Sequence, residues 1–287
     1  MQTRRLTLSL LVLAFLSAGC GRLAGSGTTG GSASPSGIEH PTGASDLVLR
    51  WETSGGFVNP ASVLDRVPSF SLYGDGTLIT EGAHTEIYPG AALPPLLAQA
   101  ITENGMQAIL AAARDAGLLD GDARYPFCVA DVPDTVFTVN ADGRTSVVTA
   151  TALGMGGPGC PDANDEARAK LFRFLTRLGD LQSWLPAGSI GGEHPYTSSA
   201  LRIFVQPYQA DPTLTETPVA WPGSQPLSVV DGTVEMAPSV SCGVVDGADA
   251  DAVLEAARSA NELTPWTSDG RRYSVVFRPL LPDESGC

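Results

Sequence analysis

Lysine is nearly missing from this chain of 287 residues: of 17 basic residues, only Lys170 is a lysine. Asp and Glu number 31, which leaves a net charge of −14. Nucleic-acid phosphates would be repelled by such a protein, and no nucleic-acid partner is expected. Histidine is scarce too, with His40, His84 and His194 the whole supply. Aromatic residues make up 7%, and cysteines never form a C-x-x-C pair of the kind that holds zinc. The fingerprints H-E-x-x-H, G-x-S-x-G, the P-loop and G-x-G-x-x-G are all absent. The expectation is a non-catalytic protein with no cofactor and no metal. Disorder throughout is excluded as well, because 43% of residues are hydrophobic and 17% are charged.

The clearest positive signal is at the start. Arg4 and Arg5 precede a largely apolar run, Leu6–Leu16, of 11 residues. That is short of the roughly 20 needed to cross a bilayer and suits a signal peptide. The run ends in Leu16-Ser17-Ala18-Gly19-Cys20. This segment resembles the lipobox of bacterial lipoprotein precursors. The resemblance implies cleavage after residue 19, a lipid on the Cys20 thiol, and a membrane anchor on the extracytoplasmic face. An ordinary cleaved signal peptide is the competing reading. Residues 20–45 are rich in Gly, Ser and Thr and read as a flexible tether, with a span of about 25–30 Å. Cleavage removes two arginines and no acid from the net charge of −14, which leaves −16. Such a body should not lie flat on anionic lipid.

Four cysteines remain: Cys128, Cys160, Cys242 and Cys287. An even count in an exported chain reads as disulfides. The pairing Cys128–Cys160 and Cys242–Cys287 keeps each bridge inside one of two expected regions, 46–185 and 186–287.

The body reads as α+β: a mainly antiparallel sheet with helices packed on one face, in two subdomains that are candidates for a duplication. Residues 46–52 alternate, with Leu47, Leu49 and Trp51 on one face, and Ser54-Gly55-Gly56 ends the pattern. Hairpins are expected over 70–80, turning at Gly74-Asp75-Gly76, and over 135–152, turning at Asp142-Gly143. Helices are expected over 106–119, 165–181 and 249–263, and strands over 201–206, 241–245 and 272–280. Ile109–Ala116 aligns without gaps to Val253–Ala260, the basis for a duplication.

Residues able to carry chemistry are few. His84, near Glu81 and Glu86, reads as a solvated loop histidine, with a general base as the alternative. The acidic runs 162–166 and 246–251 lack the twelve-residue calcium-loop form and read as helix caps, from Asn164 or Asp165 and from Asp246 or Asp249. Trp51 reads as core, and Trp184, Trp221 and Trp266 as packing beside prolines, with a sugar or peptide groove as the alternative.

Two resemblances add to this. The strand running into Ser54-Gly55-Gly56-Phe57, then Leu93-Pro94-Pro95 ahead of a helix ending in Ala112–Leu119, then the hairpin 135–152 and a closing helix, is similar to emfourin-type proteins. Those are small α+β inhibitors of thermolysin-like metalloproteases. The likeness spans about residues 46–181 and implies an inhibitory loop at Ser54, Gly55, Gly56 and Phe57. The chain departs from that pattern by a longer segment before the first helix, an added disulfide and a whole C-terminal region. The chain also resembles exported lipoproteins of high-GC Gram-positive bacteria, which implies a location and no activity. Three functions follow as expectations: a lipid-anchored envelope protein that binds a protein or cell-wall ligand, an inhibitor of a secreted metalloprotease, and a hydrolase whose site is scattered along the chain.

Overall fold

In the computed structural model, residues 37–58, 63–156, 160, 164–210 and 216–287 are described. The signal segment, the Cys20 lipobox and residues 20–36 lie outside them. Within the body the element order is β1 (Leu47–Gly55), β2 (Phe70–Tyr73), β3 (Thr77–Glu81), β4 (Leu96–Ala100), α1 (Glu103–Asp115), β5 (Ala123–Tyr125), β6 (Pro133–Ala141), β7 (Arg144–Thr151) and α2 (Asp165–Leu178). It continues through β8 (His194–Pro195), β9 (Ala200–Pro207), β10 (Val219–Ala220), β11 (Gly232–Thr233), β12 (Ser241–Asp246), α3 (Gly247–Arg258), β13 (Trp266–Ser268) and β14 (Arg271–Pro279). The strands form two mainly antiparallel sheets. The first runs β5-β7-β6-β1-β2-β3-β4-β8, and the second β10-β13-β14-β9-β12-β11. The fold is α+β, dominated by its sheets.

The alternating patterns explain the first core. Phe70, Leu72, Leu78, Phe137, Val139 and Val148 bury one face of the first sheet against α1 and α2. The helices return Met106, Ile109, Leu110 and Ala113, and Leu171, Phe174 and Leu178. Those residues recur at helical spacing, so each helix buries one stripe. The Thr102 side chain accepts from the Gly105 N–H to begin α1. Its end is a Schellman close: Gly117 adopts φ +85°, and the Leu118 N–H bonds the Ala113 carbonyl at 3.0 Å. On the opposite face Tyr73, Ile79 and Leu96 meet Val67, Tyr196 and Leu281.

α3 covers the second sheet in the same way, setting Val253, Leu254 and Ala257 on Leu201, Ile203, Val205, Val275 and Phe277. A shared plan underlies the two halves. In each, a central strand (β1 or β9) pairs antiparallel with a later one (β2, or β12 after β10 and β11). A helix follows, and a later strand (β6 or β14) returns antiparallel on the other side of the first. The aligned helices α1 and α3 each follow the paired strands in that plan.

Four expectations change. Residues 37–45 are packed on the body, not tether: Ile38 is buried, its N–H bonds the Gln107 Oε1 at 2.8 Å, and His40 reaches Glu103 at 3.2 Å. The strand pattern is not broken at Ser54, because β1 runs on through Gly55, pairing Ser54 with Asp134 and Gly55 with Pro133. A register shift between Leu47 and Leu49 sends Leu47 to the face away from the helices, since an irregularity resets the two-residue alternation. Finally, α3 begins at Gly247, and its N-cap residue Asp246 makes no side-chain cap. Asp249 instead accepts from the backbone N–H and hydroxyl of Ser224. The first acidic run does cap as expected, since Asn164 accepts from the Ala167 N–H at 3.0 Å to begin α2.

Residues Gly37–Cys287 form one compact unit. Both expected disulfides are in place, Cys128–Cys160 and Cys242–Cys287. The segment after β14 acts as a strap between the sheets. Asp283 accepts from Arg50 and from the Tyr73 hydroxyl, each at 2.8 Å. Glu284 takes a two-pronged bond from Arg278 at 2.6 Å on each prong. The Gly286 carbonyl accepts from Arg202 at 2.8 Å, and Cys287 closes onto β12.

Candidate functional site

One end of the first sheet gathers β1 as it ends, β6 as it begins, β7 as it ends and the start of α2. β1 leaves the sheet through Gly55 (φ +69°) and Gly56 (φ +84°), a backbone that side chains resist. A Cβ on Gly56 would also sit 3.4 Å from the Pro133 nitrogen, so the chain turns close against β6. The turn delivers Phe57 into solvent, 88% exposed. It is nevertheless anchored, because the Phe57 N–H bonds the Asp131 carbonyl at 3.3 Å. Large apolar side chains are normally withdrawn from water, and an exposed ring on a held backbone is the kind of residue that anchors interfaces.

The surroundings are apolar as well. Val58 follows Phe57, Val129 belongs to the loop that holds Phe57, Met155 follows β7, and Phe172 lies on α2 with its ring against Gly154. All four are exposed. The support beneath them is stiff. Cys128–Cys160 ties the Phe57-holding loop to the chain ahead of α2. The Ala152 N–H bonds the Pro133 carbonyl at 2.9 Å. Arg168 is buried under this end, donating to the Tyr125 carbonyl at 3.0 Å and the Ala152 carbonyl at 3.1 Å, with its charge 4.9 Å above the Phe127 ring centre. Burial pushes its pKa down, and Asp165 works against that shift. The rim carries negative charge from Asp131 and Asp165, while Asp134 is paired with Arg124 at 3.2 Å and Glu166 with Lys170 at 3.0 Å.

Thus Ser54, Gly55, Gly56 and Phe57 meet the Asp131 loop and the start of β6, while Met155 and Phe172, which sequence reasoning missed, line a separate hollow with Phe127 and Arg168 at the start of α2. About a hundred residues of chain separate these two from Phe57, and no local period marks them. The histidines are elsewhere. His84 bonds Glu81 at 2.8 Å on the surface, His40 bonds Glu103, and His194 lies 3.5 Å from the Gly192 carbonyl. Among the described residues no three His, Cys, Asp or Glu side chains are grouped to hold a metal ion. Trp266 is fully buried in an aromatic cluster with Trp221 and Phe277. Trp184 lies under the Arg177 guanidinium at 3.8 Å and donates to the Arg177 carbonyl. Trp51 is half-buried against the first core.

No known protein identifies this arrangement. The chain matches no family model, no curated protein and no solved structure. What it does rests on the geometry alone.

Proposed function

We propose that this chain is a lipid-anchored, non-catalytic protein of the extracytoplasmic envelope that binds another envelope or secreted protein through the Phe57 end of its first sheet. The observation that carries the reading is Phe57 itself, almost wholly exposed yet held by a backbone bond and two glycines in left-handed conformation. Burying one such ring in a partner's pocket contributes about 2–3 kcal/mol from its area alone. The leader ending at Cys20 supports the anchor, and the two disulfides suit an oxidising compartment. An acidic rim around an apolar centre favours a partner that is basic around an apolar pocket.

The test places a photo-cross-linking residue at position 57 in intact cells, and the same residue at exposed Glu235 as a control. A discrete adduct from position 57 alone, competed away by purified wild-type body and not by Phe57→Ala, supports the reading. Equal labelling from both positions rejects it.

The same exposed, anchored loop favours a second reading, metalloprotease inhibition, in line with the emfourin-type resemblance. An inhibitor must present a rigid loop to a cleft, and Ser54–Phe57 is one. Titration of the body against secreted thermolysin-like enzymes should then show inhibition that Phe57→Ala abolishes. No inhibition at micromolar concentration ends this second reading and leaves the first intact.

A further inference from the structure

A different part of the first sheet carries a cavity of about 500 Å³. It opens on the helix side of β1–β4, beneath the end of α2. Trp51, half-buried against the core, lines it with Phe70, Leu175 and Ile190 between the sheet and α2. Its rim is polar: Glu81 on β3, Gln99 on β4, Asp180 and Gln182 just beyond α2, and Glu193 ahead of β8. An apolar lining with a few polar groups around it is the form of a small-molecule site, and the volume lies within the usual range of about 300–1,000 Å³.

The charge of this cleft is one-sided. Three carboxylates line it and no lysine or arginine does. The C-terminal end of α2 points its partial negative charge the same way. Beyond Glu81 a neighbouring cavity of about 400 Å³ adds Asp65 and Glu262, with Arg66 and His84 as its basic residues. There burial pushes the Asp65 pKa up, and repulsion from Glu81 and Glu262 adds to the rise. Glu81 is bonded to His84 at 2.8 Å, while Asp180 and Glu193 form no ion pair among the described residues. Metal coordination does not account for the arrangement, because the carboxylates stand around the rim and no three of the described acidic or histidine side chains converge. Trp51 supplies the remaining element, since an indole face attracts cations.

We propose that this cleft binds an organic cation, a protonated amine held over Trp51 and among Glu81, Asp180 and Glu193. The site is separate from Phe57 and does not depend on the protein-binding reading. Carboxylates set the charge preference, the indole selects a soft organic cation over a hydrated inorganic one, and Gln99 and Gln182 offer neutral hydrogen bonds to the rest of the ligand.

Spermidine is the probe, titrated calorimetrically into the body at low ionic strength, with maltotriose as a neutral, hydroxyl-rich comparison. The expected result is one saturable spermidine site that weakens with salt, and no binding of maltotriose. The variant Asp180→Asn/Glu193→Gln should weaken spermidine about tenfold or more, as removal of two facing charges implies. The control Glu235→Gln/Asp251→Asn, equal in charge change and remote from the cleft, should leave it unchanged. Trp51→Phe keeps the packing and should remove the change in indole emission on binding. Absence of a saturable site overturns the proposal. So does weakening shared equally by the control, or preference for maltotriose.

Discussion

Phe57 and Glu284 show how differently single side chains can matter in this body. Phe57 is exposed, so Phe57→Ala should change stability by less than about 0.5 kcal/mol, as for surface positions generally. A core phenylalanine truncated in the same way costs about 3–5 kcal/mol. Urea unfolding of the two proteins decides the matter: a loss above 2 kcal/mol would mean that the ring is packed in solution. Glu284 is the opposite case. Burial works to raise its pKa, but the Arg278 fork, the Leu281 N–H and the nearby positive charges outweigh it, and the net shift is downward. A carboxylate with a depressed pKa stabilises the fold above its ordinary value of 4.5 and loses that contribution as pH falls through the lower folded value. The urea midpoint should therefore drop in acid below that value. Glu284→Gln should remove this component of the acid response and, by leaving buried Arg278 without its partner, lower stability by about 3 kcal/mol at neutral pH. An unchanged acid profile in Glu284→Gln would show that the strap is not held by this pair.

At the scale of elements, turns and cross-links decide what the periodic patterns leave open. The β2–β3 hairpin needs Gly76 at φ +86°, where an added Cβ would lie 2.2 Å from the Ile101 carbonyl oxygen. Backbone must move for any side chain there, so Gly76→Ala should lower the thermal midpoint substantially, by the equivalent of about 1–3 kcal/mol. The loop that holds Phe57 depends on the Cys128–Cys160 bridge, which closes a sequence separation of 32. Replacing both cysteines by serine should cost about 3–4 kcal/mol through the freed unfolded chain. If the bridge also stiffens the Phe57 end, the double serine variant should lose adduct yield at position 57 beyond its loss of stability. Retained adduct formation in the folded fraction would assign the bridge to stability alone.

For the molecule as a whole, the Cys242–Cys287 bridge and the strap join the sheets. Leu281 enters the apolar cluster on the first sheet, while Glu284, Gly286 and Cys287 bond to the second. The strap therefore ties the two sheets into one unit, and the protein should unfold in a single transition. If the chain is anchored as proposed, Cys20→Ala should be exported without lipid and move from the membrane fraction to the medium. Equal membrane retention of both forms would refute lipidation at Cys20. Between the anchor and the body, residues 37–45 already pack against α1 through Ile38 and His40, which shortens the segment available as a tether.

Much of this protein was legible locally. The four body cysteines, the hairpins over 70–80 and 135–152, the three helices and the strands β9, β12 and β14 are all marked by short-range period, turn residues or composition. Short-range signals failed where long-range pairing decides. Leu96–Ala100, the sequence LLAQA, carries no strand signature and seemed a lead-in to helix α1; it is β4 because β3 offers it a partner along its length. β5, β8 and β10, two or three residues each, exist only as pairings to distant strands, whereas the short β13 pairs with β14 across Asp269-Gly270 and β11 with the nearby β12. The same limit applies to the candidate sites. Glycines at the end of a strand pattern favour a bulge with Phe57 in the core, but the turn at Gly55-Gly56, closed by Asp131 from another loop, puts it in water. Trp51, Glu81, Asp180 and Glu193 meet around one cleft because the sheet order and the place of α2 bring them there. A chain encodes local conformation in neighbouring residues, whereas exposure and convergence depend on which remote surfaces are buried together.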